Sequence, residues 1–174
     1  MAINNFQFSI FNFQKKRGFA LLVAVIFMSV MLALGLALSS LGYKQELLAS
    51  TAIESQYAFY AADAGMECVL YADQQQNSFD YNLHDAENPP SAIVCDGIPA
   101  ATRLNYAYDD IRLVVSERLS LDANTRCADI TVYKYETPQP KSTYIFSQGY
   151  DVPCTTVAIP GGARFVSRGI SSDY

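Results

Sequence analysis

Four cysteines, Cys68, Cys95, Cys127 and Cys154, are the residues of this 174-residue chain best suited to covalent chemistry. Their number is even and none forms a C-x-x-C pair, so structural disulfides suit them better than a zinc site, which wants close ligand spacing. His84 is the single histidine and stands beside Asp85 and Glu87. Without convergent partners it reads as a solvated loop residue rather than a ligand or a base. Asp80, Asp96, Asp109 and Asp110 could offer oxygens to calcium, but EF-hand spacing is absent. There is no nucleophile elbow for Ser/His/Asp catalysis and no phosphate-cradling glycine loop. The expectation is a protein that is not an enzyme and carries no cofactor and no metal.

The elements that would position these residues begin with an apolar run. Phe19 to Leu38 reads FALLVAVIFMSVMLALGLAL, without a single charge. At about 1.5 Å per residue it covers about 30 Å, the hydrocarbon thickness of a bilayer. A buried core helix rarely stays uncharged on every face for so long, so the run is expected to be a transmembrane helix. Lys15, Lys16 and Arg17 precede it, which keeps that end cytoplasmic and exports everything after Leu38. The cysteines then face an oxidising space. All seventeen acidic residues lie beyond Leu38, against nine Lys and Arg, a balance of minus eight. Such a balance argues against nucleic acid binding through bulk charge while leaving a local basic patch open.

Residues 1–18 read as a cytoplasmic leader, and 19–38 as the transmembrane half of a longer helix. An ordinary signal peptide is a rival, with a small-x-small cleavage site at Ala37-Leu38-Ser39. The helical pattern continues past Leu38: Leu41, Leu48, Ala52, Phe59, Ala62, Met66 and Val69 form one stripe, with Lys44, Glu54, Asp63 and Glu67 mostly off it. No proline occurs before Pro89, and Gly35 and Gly42 weaken the helix by about 1 kcal/mol each without ending it. One helix from Phe19 to about Gln75 is expected, about 85 Å long, with an amphipathic half over 39–75. Residues 76–110 read as a connecting loop and 111–174 as an antiparallel sheet. Strand-like runs fall at 111–120, 127–136, 142–151, 155–159 and 163–170, with Thr137–Pro140 and Pro160–Gly162 as short connections. The fold class is therefore α+β, a long N-terminal helix packed on a small antiparallel β-sheet. Cys127 and Cys154 flank the Thr137–Pro140 turn almost symmetrically, and Cys95 follows Cys68 in the next loop. Of the three possible connectivities this favours Cys68–Cys95 with Cys127–Cys154, free buried thiols being the alternative. The twelve tyrosines are expected half-buried on strands or at subunit contacts.

A cationic residue, then Gly18, then Phe19 opening an apolar helix resembles the processing signal of type IV pilins and type II secretion pseudopilins. The stretch AFYAADAGMECVLYA (58–72) is similar to the small-residue region of pilin-like helices, where Ala58, Ala61, Ala62, Ala64 and Gly65 would admit a close neighbour. That neighbour could be another subunit or simply the chain's own core. The resemblance covers about the first seventy residues by pattern and the rest by architecture. It implies that a prepilin peptidase cuts after Gly18, where any Cβ would crowd the approach to the backbone, and that Phe19 becomes an N-methylated terminus. It also implies insertion in membrane lipid, extraction by an inner-membrane assembly platform, and packing with other pilin subunits into an extracellular filament. One departure stands out: pilins place glutamate fifth after the cut, and this chain has Val23. A bare carboxylate in hydrocarbon costs several kcal/mol and needs a partner; valine removes both the cost and the pairing. The resemblance then implies a minor, tip or initiating subunit. Its alternatives are a major fibre subunit and, from another class, a single-pass anchored binding ectodomain that does not polymerise.

Overall fold

A computed structural model describes residues 18–95, 97–136 and 141–174. The leader cations Lys15, Lys16 and Arg17, together with Asp96 and the Thr137–Pro140 connection, lie outside the described residues. The chain divides into two compact units, Met1–Leu47 and Leu48–Tyr174. It is an α+β protein in which one long N-terminal helix, α1 (Phe19–Gln74), packs on a small antiparallel sheet.

In the first unit the helix opens at Phe19, with the Leu22 amide donating to the Gly18 carbonyl at 3.2 Å. Every described side chain of this unit is exposed. Its hydroxyls turn back on the helix: Ser29 Oγ donates to the Ile26 carbonyl at 2.8 Å and Ser40 Oγ to that of Ala37 at 2.9 Å. Such internal pairing lets serine sit in an apolar helix without an orphaned donor.

In the second unit a two-residue pair, β1 (Val94–Cys95) and β2 (Ile98–Pro99), precedes a five-stranded meander. The meander comprises β3 (Thr102–Tyr108), β4 (Arg112–Leu121), β5 (Arg126–Tyr135), β6 (Ser142–Tyr150) and β7 (Ser167–Asp173), each antiparallel to the next. Leu113, Val115, Leu119 and Leu121 of β4 alternate inward, as do Ala128, Ile130 and Val132 of β5 and Ile145 of β6. Against them α1 buries Ala58, Ala61, Ala62, Gly65, Met66, Val69, Ala72 and Asp73. The helix stops where Asn77 takes a positive φ of 51° and the Ser78 amide reaches back to the Ala72 carbonyl at 3.0 Å, a left-handed cap.

Several sequence expectations need correction. Leu41, Leu48, Ala52 and Phe59 are exposed, so the buried face is rotated from the expected stripe toward the small residues. Strand β3 lies inside 76–110, the segment expected to be loop. Its alternation is broken by a bulge between Arg103 and Asn105, which shifts inward positions by one and hides the period. The run at 155–159 is no strand: residues 155–158 belong to the helix α2 (Cys154–Ala158) and Ile159 caps it. The place beside β6 is taken by β7, and Cys154 is held against β5 by its bond to Cys127. The last strand accordingly begins at Ser167, not at Ala163, and Pro160–Gly162 does not join two neighbouring strands.

Helix and sheet backbones approach closely at Gly149. A Cβ there would sit 2.2 Å from both the Ala58 carbonyl oxygen and the Ala62 nitrogen. Backbone cannot yield as a side-chain tip can, so Gly149→Ala must lift the helix off β6. The expected loss is about 3 kcal/mol, lowering Tm by roughly 10 °C in a thermal melt of the detergent-solubilised chain. An unchanged Tm would show that the helix is not seated there.

Candidate functional site

The sequence places its candidate site at the seam between Gly18 and Phe19. Gly18 is exposed, and a Cβ built on it would meet none of the described residues within 4 Å, so these impose no steric demand for glycine at this position. Phe19, Val23 and Phe27 recur at intervals of four and line one apolar strip with Ala20, Ala24 and Met28. No titratable side chain stands on this strip. Helix α1 contains a segment long and apolar enough to cross a membrane, and none of the residues of that segment is buried.

The cysteines form two bridges. Cys68 of α1 bonds Cys95 of β1, with Cα atoms 5.9 Å apart, and Cys127 of β5 bonds Cys154 of α2 at 4.8 Å. The first ties the end of the helix to the segment that follows it. The second fastens α2 to the sheet, so that a helix of one turn and a half holds its place.

Among the ion-paired carboxylates, Glu117, Asp73 and Asp129 lock parts of the chain together. Glu117, 1% exposed, occupies an inward slot of β4 between Val115 and Leu119. It accepts from Arg103 Nη2 at 2.7 Å and Nε at 3.1 Å, and from the Ile93 amide at 3.0 Å. Arg103 in turn donates to the Pro90 carbonyl, so the pair pins 90–93 to the sheet. Asp73, 3% exposed, sits at the end of α1, where it accepts from Lys134 Nζ of β5 and from the Tyr174 hydroxyl. On the other face, Arg118 grips Asp129 with two bonds of 2.6 and 2.7 Å, and the Tyr150 hydroxyl adds a third at 3.2 Å. An acid on the inward phase of a strand was the available signal for Glu117. Asp73 and Asp129 carried none, because their partners are remote in sequence.

The remaining candidates are structural. His84 is half-buried, with Nε2 3.0 Å from the Ser78 carbonyl oxygen. The Asp85 carboxylate accepts the Glu87 and Asn88 amides, each at 2.8 Å. Asp80 caps the 3₁₀ turn at Tyr81–Leu83 through the Asn82 amide at 2.9 Å, and that bond holds its carboxyl below the ordinary value. Asp109 is lowered likewise by the Ile111 and Arg112 amides. These acids spend their oxygens on turns. Among the described residues no group of three or more His, Cys, Asp or Glu could hold a metal ion. The small residues split: Ala58, Ala61, Ala62 and Gly65 serve the chain's own core, whereas Ala64 is exposed. Comparison with protein-family models, with characterised proteins and with solved structures returned no match to this chain.

Burial pushes the Tyr150 hydroxyl up to about 12, aided by the charge of Asp129 and the hydrogen bond to it. Burial, then the bond to Asp73, raises Tyr174 as well. A tyrosine whose folded pKa is raised contributes stability that is complete below its unfolded value near 10 and is lost as pH rises through the folded one. The urea midpoint should therefore fall between pH 10 and 12, and Tyr150→Phe should make that fall shallower; an identical profile would remove Tyr150 from the account. Replacing Cys127 and Cys154 together by serine opens a loop of 27 residues. The expected cost is about 3 kcal/mol, read as a lower urea midpoint than that of the oxidised parent.

Proposed function

We propose that this chain is the structural subunit of a pilus-like filament, of the type IV pilin and pseudopilin kind. Its N-terminal side stays in the cytoplasm, Phe19–Leu38 spans the membrane, and the unit from Leu48 is exported. A prepilin-type peptidase removes 1–18 after Gly18, and Phe19 becomes the N-methylated end. The supporting observation is the division of labour along α1, bare and uncharged over Phe19–Leu38 and buried on a sheet from Ala58 onward. A plain membrane anchor needs only the first part. A filament subunit needs both on one helix, so that the apolar part can leave lipid for equally apolar neighbours while the head stays folded.

Val23 supports placing the subunit at a tip or other minor position. With valine at the fifth site after the cut, no carboxylate is available to pair with a neighbour's terminal amine, and none needs neutralising in the filament core.

Intact-mass measurement of the mature protein tests the proposal. A chain starting at methylated Phe19 is expected, and Gly18→Val should leave 1–18 attached. An uncut chain from Met1, or one cut near Leu38, would overturn it in favour of an anchored or secreted ectodomain. Labelled subunits found along whole filaments, rather than at their ends, would overturn the tip placement alone.

A further inference from the structure

The groove between α1 and the end of the β4–β5 hairpin holds a charge that the fold leaves unmatched. Among the described residues, the half-buried cations Arg103, Arg118 and Lys134 each have a carboxylate, Glu117, Asp129 and Asp73 respectively. Arg126 is half-buried as well, and no described carboxylate pairs with it. Its Nη1 donates to the carbonyls of Thr125 at 3.3 Å and Asp151 at 3.1 Å. Its guanidinium lies 4.2 Å from the centre of the Tyr57 ring. These contacts hold the group in place, and they leave Nε and Nη2 without a partner among the described residues. A guanidinium fixed by one nitrogen, with two others unspent, is set up to receive a carboxylate on both.

The rest of the lining narrows the ligand. The groove measures about 300 Å³, the lower end of the range for ligand pockets, so it suits a single residue rather than a long segment. Tyr57, Tyr60 and Leu121 give it apolar bulk, and the small Ala61 and Ala64 leave room between them. Asp122 lines the same groove yet makes no ion pair with Arg126. It stands in a turn where Asp122, Ala123 and Asn124 take positive φ values of 50°, 51° and 68°, a conformation unfavourable without glycine. Ser120 Oγ, donating to Asn124 Oδ1 at 2.6 Å, and Thr125 Oγ1, donating to Asp122 Oδ2 at 2.9 Å, hold that turn. Asp122 Oδ1 has no partner among the described residues. Cation and acid thus flank one apolar space without meeting each other. A group that carries an acceptor beside a donor fits between them. We infer that the groove takes the C-terminal residue of a partner polypeptide, with its carboxylate on Arg126, its amide N–H on Asp122 Oδ1, and an apolar side chain between Tyr57, Tyr60 and Leu121. One unspent oxygen on Asp122 suits a single amide N–H better than the ammonium of a free amino acid. The contact does not depend on the filament reading.

The test uses the full chain in detergent micelles, carbon-labelled at its alanine methyls, with N-acetylphenylalanine as the probe. The methyl signals of Ala61 and Ala64 are expected to shift, with a dissociation constant on the order of 1 mM for so small a ligand. N-acetylphenylalanine amide lacks the charge and should bind about tenfold more weakly or worse. 3-Phenylpropionate lacks the N–H and should also bind more weakly. Arg126→Gln should remove the preference for acid over amide. Ala64→Leu should fill the groove and abolish the shift at Ala61 while leaving Arg126 in place. Residue 64 is exposed, so both disulfides should survive in that variant, as its non-reduced mass would report. Unmoved signals at Ala61 and Ala64 would overturn the inference, as would equal binding of acid and amide, tighter binding of free phenylalanine, or an Arg126→Gln variant that binds like its parent. If Arg126→Gln fails to fold, the acid–amide comparison and Ala64→Leu still decide.

Discussion

The structure of the head depends on one constraint, the laying of helix backbone directly on strand backbone where α1 crosses β6. At Gly149 there is no room for even one carbon between strand and helix. The neighbours obey the same limit. A Cβ on Gly65 would come within 2.8 Å of Ser147 Oγ and 3.0 Å of the Ala128 Cβ, and Ser147 Oγ donates to the Ala62 carbonyl at 2.8 Å. Small residues on both sides of the contact are thus one requirement, expressed at Ala58, Ala61, Ala62 and Gly65 on the helix and at Ala128, Ser147 and Gly149 on the sheet. Larger residues, among them Met66, Val69, Leu113 and Ile145, fill the rest of the core.

The polar locks make sense around that contact. A close-packed helix has little freedom to slide, and its distal end is fixed twice, by Cys68–Cys95 and by Asp73 held between Lys134 and Tyr174. Glu117 does the same for the chain that returns from the helix, drawing Arg103 and the Ile93 amide onto β4. A buried charge is weak evidence for stability, since desolvation opposes the attraction. Its use here is positional, because a carboxylate with three defined donors admits a single arrangement of 90–93 and 103. The exposed Asp109–Arg112 pair at 3.6 Å has no such role, and solvent screening leaves it little energy.

Strands whose inward residues keep strict alternation, such as Leu113, Val115, Leu119 and Leu121, were legible because the pleat and the burial share a period of two. Strand β3 was not, because its bulge breaks that period between Arg103 and Asn105. The 154–158 helix was missed for a related reason. Its threonines and valine favour a strand by local preference, and the position against β5 set by Cys127 overrides that preference. The helical face was misjudged by giving weight to large apolar residues: Phe59 and Leu48 face outward, and alanines and glycine face the core. Size is a poor guide where the packing surface demands close approach.

The sequence by itself determined the features that depend on local order. These are a charge-free span beginning at Phe19, one helix unbroken by proline, four cysteines in an acidic segment, and an α+β architecture. Each follows from composition and periodicity, which need no knowledge of distant contacts. Only the tertiary structure decided which face of α1 is buried and which carboxylates are locked. Those outcomes depend on pairs such as Ala62 with Ser147 and Asp73 with Lys134, separated by 85 and 61 residues. Long-range packing selects among faces that a one-dimensional pattern leaves equivalent.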